Sequence, residues 1–178
     1  MAVKKTRARV VQRLHMTAAF ATTAVLMSGC GAWQATKEMT ANATSAVFVA
    51  KVKQMNLVIE SRAALNTDGR GQSLPVELRI YQLKDSNTFE RTGYTRLLND
   101  DQALLKADLL DSTTKTLAPG TTIKLSEPMK DGAQFVGIAG FFLDPGGAEW
   151  QLTIPKSQWK KTDPVKLIVT GNRVELVQ

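Results

Sequence analysis

Histidine and cysteine are nearly missing from this chain of 178 residues, which has His15 and Cys30 and no others of either kind. Everything after Cys30 therefore lacks both an imidazole and a thiol. A Ser-His or Cys-His nucleophile needs a base of suitable pKa beside it, and neither can be assembled downstream of residue 30. Zinc sites built from Cys and His fall with them. Long apolar runs are missing too. The stretch from Met16 to Met27 has 12 residues, against the roughly 20 that a membrane-spanning helix requires. The two glycines of "NTDGRGQS", residues 66–73, do not make a phosphate cradle, because that loop leads into a strand-like segment and not a helix. The Asp-x-Asp-x-Asp-Gly ladder of a calcium loop is absent, and no internal repeat is visible.

What is present begins with charge order. Lys4, Lys5, Arg7, Arg9 and Arg13 precede an acid-free, largely apolar run that ends in small residues, the arrangement of a secretory signal peptide. Residues 1–29 are accordingly expected to be cleaved. Five of the 23 Lys and Arg lie there, leaving 18 against 16 Asp and Glu, so the formal +7 of the whole chain reflects mainly its leader. Apart from Lys160-Lys161 the remaining cations are scattered, and the clustered basic footprint of a nucleic-acid-binding surface is not found.

The segment "LMSGC" ending at Cys30 resembles the lipobox of bacterial lipoproteins, with Met27 where that pattern favours Leu. The resemblance implies cleavage before Cys30, a diacylglycerol on its sulfur and an acyl chain on its new amine. At about 0.8 kcal/mol per buried methylene, two or three acyl chains suffice for stable anchoring. By the same resemblance Gly31, where inner-membrane lipoproteins typically carry Asp, gives an outer-membrane address facing the periplasm. Residues 30–46, polar and small in "GAWQATKEMTANATSA", are expected to tether a single domain spanning 47–178.

Within that domain the signal is a period of two. In "VELRIYQL", Val76, Leu78 and Ile80 alternate with Glu77, Arg79 and Tyr81, which places one face inward and the other towards water. "MNLVIESR", "TTIKLSE" and "AEWQLTIP" read likewise, the last putting Trp150, Leu152 and Ile154 on one face. "QFVGIAGFFL" at 134–143 is apolar on both faces, as a central strand would be. "VKLIVTGNRVEL" suggests two strands around Gly171-Asn172. About seven short strands with turns at Pro119-Gly120, Asp131-Gly132 and 144–147 predict a β-sandwich. One segment reads as helix, 87–98, with Phe89, Gly93 and Leu97 on one stripe and an Asn87/Glu90 capping box. Gly93 inside it costs about 1 kcal/mol relative to Ala, which implies close contact with another element. "DQALLKADLLD" fits helix or strand by period, with a short helix leading into a strand preferred.

Carboxylate catalysis needs two acids flanking a substrate. Asp100-Asp101 and the pair Asp108 and Asp111 are the candidates, but caps and solvated faces on a surface segment account for them better. Sugar stacking would need exposed aromatics; Trp150 falls with the apolar face, and the exposure of Trp159 is open. The loop at 66–73 is either a solvated hairpin loop or a recognition loop, in which Asp68, Arg70 and Gln72 supply hydrogen bonds and the glycines admit a close backbone.

The lipobox followed in order by "LPVELRIYQLKDSNTFERTGYTRLLND", "LAPGTTIKL", "FVGIAGFF" and "AEWQLTIP" resembles the TssJ family, the outer-membrane lipoproteins of the type VI secretion system. The resemblance implies a transthyretin-like β-sandwich with one or two short added helices and a non-catalytic role. It implies binding to the periplasmic C-terminal part of the inner-membrane protein TssM, which with TssL forms the trans-envelope complex. The family's contact, the loop between the first two strands, falls on Asn66, Thr67, Asp68, Gly69, Arg70, Gly71, Gln72 and Ser73. Beyond the lipid on Cys30 no cofactor is implied. A periplasmic ligand- or glycan-binding module of similar fold is the alternative.

Overall fold

The computed structural model describes residues 51–177. The expected signal peptide, the Cys30 anchor and the tether at 30–46 lie outside them. Eight strands and three short helices follow in the order β1 (Gln54–Leu65), β2 (Val76–Leu83), α1 (Asn87–Arg91), α2 (Tyr94–Leu105), β3 (Leu109–Leu117), β4 (Thr122–Pro128), β5 (Phe135–Phe141), β6 (Gln151–Pro155), α3 (Gln158–Lys161), β7 (Val165–Gly171) and β8 (Arg173–Leu176). They form two four-stranded sheets, ordered β4-β1-β7-β8 and β3-β2-β5-β6. All pairs are antiparallel except β1 with β7.

The main core lies between the sheets and is made by the alternation. Met55, Leu57 and Ile59 of β1, with Leu167 and Val169 of the neighbouring β7, face Leu78 and Ile80 of β2 and Val136 and Ile138 of β5, all buried. At about 1.5–3 kcal/mol for burying each large aliphatic side chain, this cluster supplies most of the drive to fold. β5 is apolar on both faces, as its sequence predicts, because its outer face is covered as well. Leu152 and Ile154 of β6 also join this core, whereas Trp150 sits between two cores, its ring edge-on to Tyr94 at 5.2 Å.

The outward face of β2 departs from the alternation argument. Tyr81 and Leu83 are fully buried in a second core with Phe89, Leu97, Leu105, Ala139 and Phe141, since α1 and α2 lie across that side of the sheet. Phe89 seats its ring on β5 at Gly137, where a Cβ would stand 2.9 Å from the ring, so glycine there permits the helix to approach.

The helical stripe is in phase but not continuous. Phe89 and Leu97 are both buried in this second core, but on separate helices. α1 ends at Thr92, whose hydroxyl bonds back to the Thr88 carbonyl at 2.6 Å and whose backbone is extended, a local side-chain bond that competes with continuation. Gly93 is the extended residue that opens α2, and a Cβ there would meet nothing within 4 Å. The close contact expected of it is not found. The capping box is also replaced: Asp85 Oδ1 accepts both the backbone N–H and the side-chain amide of Asn87 at 2.8 and 2.7 Å. The segment from 101 onward is a short helix leading into a strand, as preferred on sequence. The third helix, α3, was not anticipated; it buries Trp159, which donates to the Asn56 carbonyl at 3.0 Å.

Candidate functional site

The β1–β2 loop begins with a residue that turns inward. Asn66 follows the buried Leu65 with φ +46°, a left-handed conformation that Asn adopts more readily than most residues. It is only 5% exposed. Its N–H donates to the Gly171 carbonyl at 2.9 Å. Its amide donates to the Pro75 carbonyl at 2.8 Å, and its Oδ1 accepts the Leu143 N–H at 2.7 Å. Asn66 was expected among the contact residues; its side chain is wholly engaged inside the protein.

Beyond it the loop is a short closed hairpin. Thr67 bridges to Ser73, Asp68 N–H donates to Gln72 O, and Gly71 N–H donates to Asp68 O, both at 2.9 Å. The Asp68 carboxylate accepts the backbone N–H groups of Arg70 and Gln72, each at 2.9 Å. These bonds, that from Gln72 first and then that from Arg70, hold its pKa below the ordinary carboxylate value, because hydrogen bonds to the charged form favour it. Asp68 is therefore the organiser of the loop. The outward groups are Thr67, Gly69, Arg70, Gly71 and Gln72, with Ser73 half-buried. The Arg70 side chain is 88% exposed with Nε 3.5 Å from Asp68 Oδ2; an exposed pair of that kind contributes little, which leaves the guanidinium available. Gly69 and Gly71 have open space where a Cβ would sit.

Beside the loop lies a groove of about 480 Å³, walled by Leu74, Pro75, Tyr94, Leu98, Phe141 and Leu143. Among the described residues the exposed large hydrophobics are Leu98 at 36%, Leu143 at 62% and Val177, and the first two border this groove. Its wall is fixed by Tyr94, which donates its hydroxyl to the Phe142 carbonyl and sets its ring edge-on to Phe141 at 5.6 Å. The sequence does not announce this feature, because Leu143 reads as the last residue of an apolar strand. β5 ends at Phe141 instead, and Leu143 is left pointing outward.

Past Glu77 and Leu98, which border both hollows, the surface continues into a polar one of about 430 Å³ containing Arg79, Asp101, Gln102 and Ser112. Arg79 stacks 4.5 Å over the Phe141 ring and pairs with Glu77 at 2.8 Å and Asp101 at 3.3 Å. Its Nη1 also donates to the carbonyls of Leu97 and Leu98 at 3.4 and 3.1 Å, just before the non-helical Asp100 that kinks α2. Tyr81 donates its hydroxyl to Asp101 at 2.8 Å. Burial and then this carboxylate raise the Tyr81 pKa.

The four carboxylate candidates are dispersed by the fold. Asp100 forms the kink, Asp101 holds Tyr81 and Arg79, Asp108 accepts from Thr88 Oγ1 at 3.2 Å, and Asp111 pairs with Lys130 at 3.0 Å. Trp159 is buried, and among the described residues no aromatic ring is fully exposed. No group of three His, Cys, Asp or Glu among the described residues is placed to hold a metal ion, and no described helix is long and apolar enough to cross a membrane.

The family model described as "Type VI secretion lipoprotein, VasD, EvfM, TssJ" matches residues 53–172. Among solved structures, a chain of a "Type VI membrane complex" is 32% identical with a TM-score of 0.68, covering 72% of this chain and 100% of that one. A chain of the structure of the "T6SS protein TssM C-terminal domain" from EAEC is 32% identical with a TM-score of 0.61, covering 71% of this chain and 99% of that one. The lipoprotein TssJ1 of Pseudomonas aeruginosa shares the fold at a TM-score of 0.63 and 20% identity, covering 70% of this chain and 95% of that one. No curated protein sequence matches significantly.

Proposed function

The chain belongs to the type VI secretion lipoprotein family that includes TssJ, and on that premise we propose that it is a lipid-anchored adaptor docking the periplasmic C-terminal part of TssM. TssL would share the same complex. Cys30, bearing diacylglycerol and an N-acyl chain, would hold the protein on the periplasmic side of the outer membrane, and residues 30–46 would set its reach. The family is a structural component of the secretion membrane complex, and the reading is non-catalytic.

The observation that carries this reading is the placement of the loop. β1 has 12 residues and so extends for about 40 Å at ~3.3 Å per residue. Lys51, where the described domain meets the tether side, precedes its first residue, and the 66–73 loop follows its last. The loop thus stands at the far end of β1 from Lys51, with Thr67, Gly69, Arg70, Gly71 and Gln72 turned outward, where a partner would meet it. It is also pre-organised by Asp68, which lowers the conformational entropy lost on binding.

Replacing residues 67–73 with a two-residue turn is expected to abolish co-purification of TssM from detergent-solubilised membranes while leaving the circular dichroism of the lipoprotein unchanged. Retained TssM would remove the loop from the mechanism. The anchor is tested separately with a fatty-acid probe: the wild type should incorporate it and a Cys30→Ser variant should not, and an equally unlabelled wild type would end the lipid reading.

A further inference from the structure

We propose that the docking surface is composite: the tip of the 66–73 loop and the apolar groove beside it form one face, held in register by Asn66, and a segment of TssM carrying apolar side chains fills the groove. The inference rests on the TssM-docking reading above and extends it from the loop to the groove.

Asn66 is the observation that joins the two parts. One buried side chain ties the root of the loop to Pro75 just before β2 and to Leu143 beyond the end of β5, while its backbone N–H reaches the β7–β8 turn. Pro75 and Leu143 are themselves walls of the groove. A second asparagine extends the network, since Asn172 donates to the Asp144 carbonyl at 2.9 Å. The loop, the 142–147 segment and the 171–172 turn are thereby fixed as a single end of the sandwich, and a partner that grips the loop lies over Leu143.

The chemistry of the groove selects a polypeptide. Leu143 and Leu98 are exposed on a surface that otherwise shows no large apolar side chain but Val177 among the described residues, and an exposed apolar patch rimmed by polar groups marks an interaction site. The polar hollow with Arg79, Asp101, Gln102 and Ser112 continues from its far side, offering hydrogen bonds to a chain that runs on past the apolar contact. Lipid does not suit this position, because the hollow that continues from the groove is lined by charged and polar side chains, Arg79 and Asp101 among them. In this arrangement Asn66 is a positioning residue: its buried side chain lines the groove and sets where the loop stands relative to it.

The test uses the full-length lipoprotein in detergent, titrated against full-length TssM. Leu143→Glu is expected to weaken binding about tenfold or more with an unchanged melting temperature, since the side chain is exposed. Asn66→Gly, which keeps the left-handed backbone and removes the two side-chain bonds, should weaken it several-fold, and Asn66→Asp, which removes the donor to Pro75, should do likewise. Wild-type affinity in Leu143→Glu and Leu98→Glu, alongside loss of binding on loop replacement, would overturn the composite surface while sparing the loop. Wild-type affinity in all of them would overturn both readings. A Leu143→Glu variant that alters only the lipoprotein's own oligomeric state would assign the groove to a second copy and overturn the proposal.

Discussion

The two faces of β2 obey different rules. Inward, Val76, Leu78 and Ile80 are buried by a partner sheet whose own alternation is as plain as theirs. Outward, Tyr81 and Leu83 are equally buried, but under α1 and α2, which enter the chain only after the strand has ended. A sheet face is apolar by its neighbours' pattern; its second face becomes apolar only if something later is laid over it. The same β2 outward face also carries Glu77 and Arg79, which are not sealed but form the border between helix and strand where the groove opens.

That contrast can be broken most forcefully at Phe89, whose truncation to Ala should cost about 3–5 kcal/mol in urea denaturation if the outer core is as integral as the inner one. A loss of less than about 1 kcal/mol, or a separate early transition confined to helical signal, would show that the helices lie on a sandwich stable without them. Gly137→Ala sharpens the point from the opposite side, because its Cβ would stand 2.9 Å from the Phe89 ring. Overpacking of this kind costs about 1–3 kcal/mol, and the double variant Gly137→Ala/Phe89→Leu should recover part of it. The smallest effect is on pH. Burial and Asp101 raise the Tyr81 pKa above its ordinary 10.0, and burial raises that of Tyr94. The unfolded chain therefore ionises first as pH climbs past about 10, and stability should be full below that point and decline above it. Tyr81→Phe should flatten the alkaline decline; an unchanged slope would mean that the phenol is not held neutral by the fold.

Legibility in the sequence follows the same division. The strands came through where period two met a reciprocal face, as in "MNLVIESR" and "VELRIYQL", where β5 is apolar throughout, and where Gly171, at φ +56°, turns β7 into β8. The helix was read in the right phase, with Phe89 and Leu97 inward, but its interruption was hidden because Thr92 terminates it through a bond to Thr88 that no periodicity encodes. The loop was located from its polarity and glycines. What each residue does there was not legible: Asn66 is drawn inward by Pro75, Leu143 and Gly171, which lie 9, 77 and 105 positions along the chain. Asp101, a catalytic candidate on composition, is taken by Tyr81 and Arg79 through the same long-range logic. The groove was invisible because its walls come from the end of the β1–β2 connection, β2, α2 and the residues at and just beyond the end of β5.

β1 reaches from the Lys51 end of the domain to the 66–73 loop and is flanked by β4 on one edge and β7 on the other. A pull applied between Lys51 and the 66–73 loop would run along this one strand, at right angles to the antiparallel ladder it shares with β4. Those bonds would be loaded in shear, all together, and not peeled one after another, so the domain is placed to carry an axial load without unravelling from its N-terminal end.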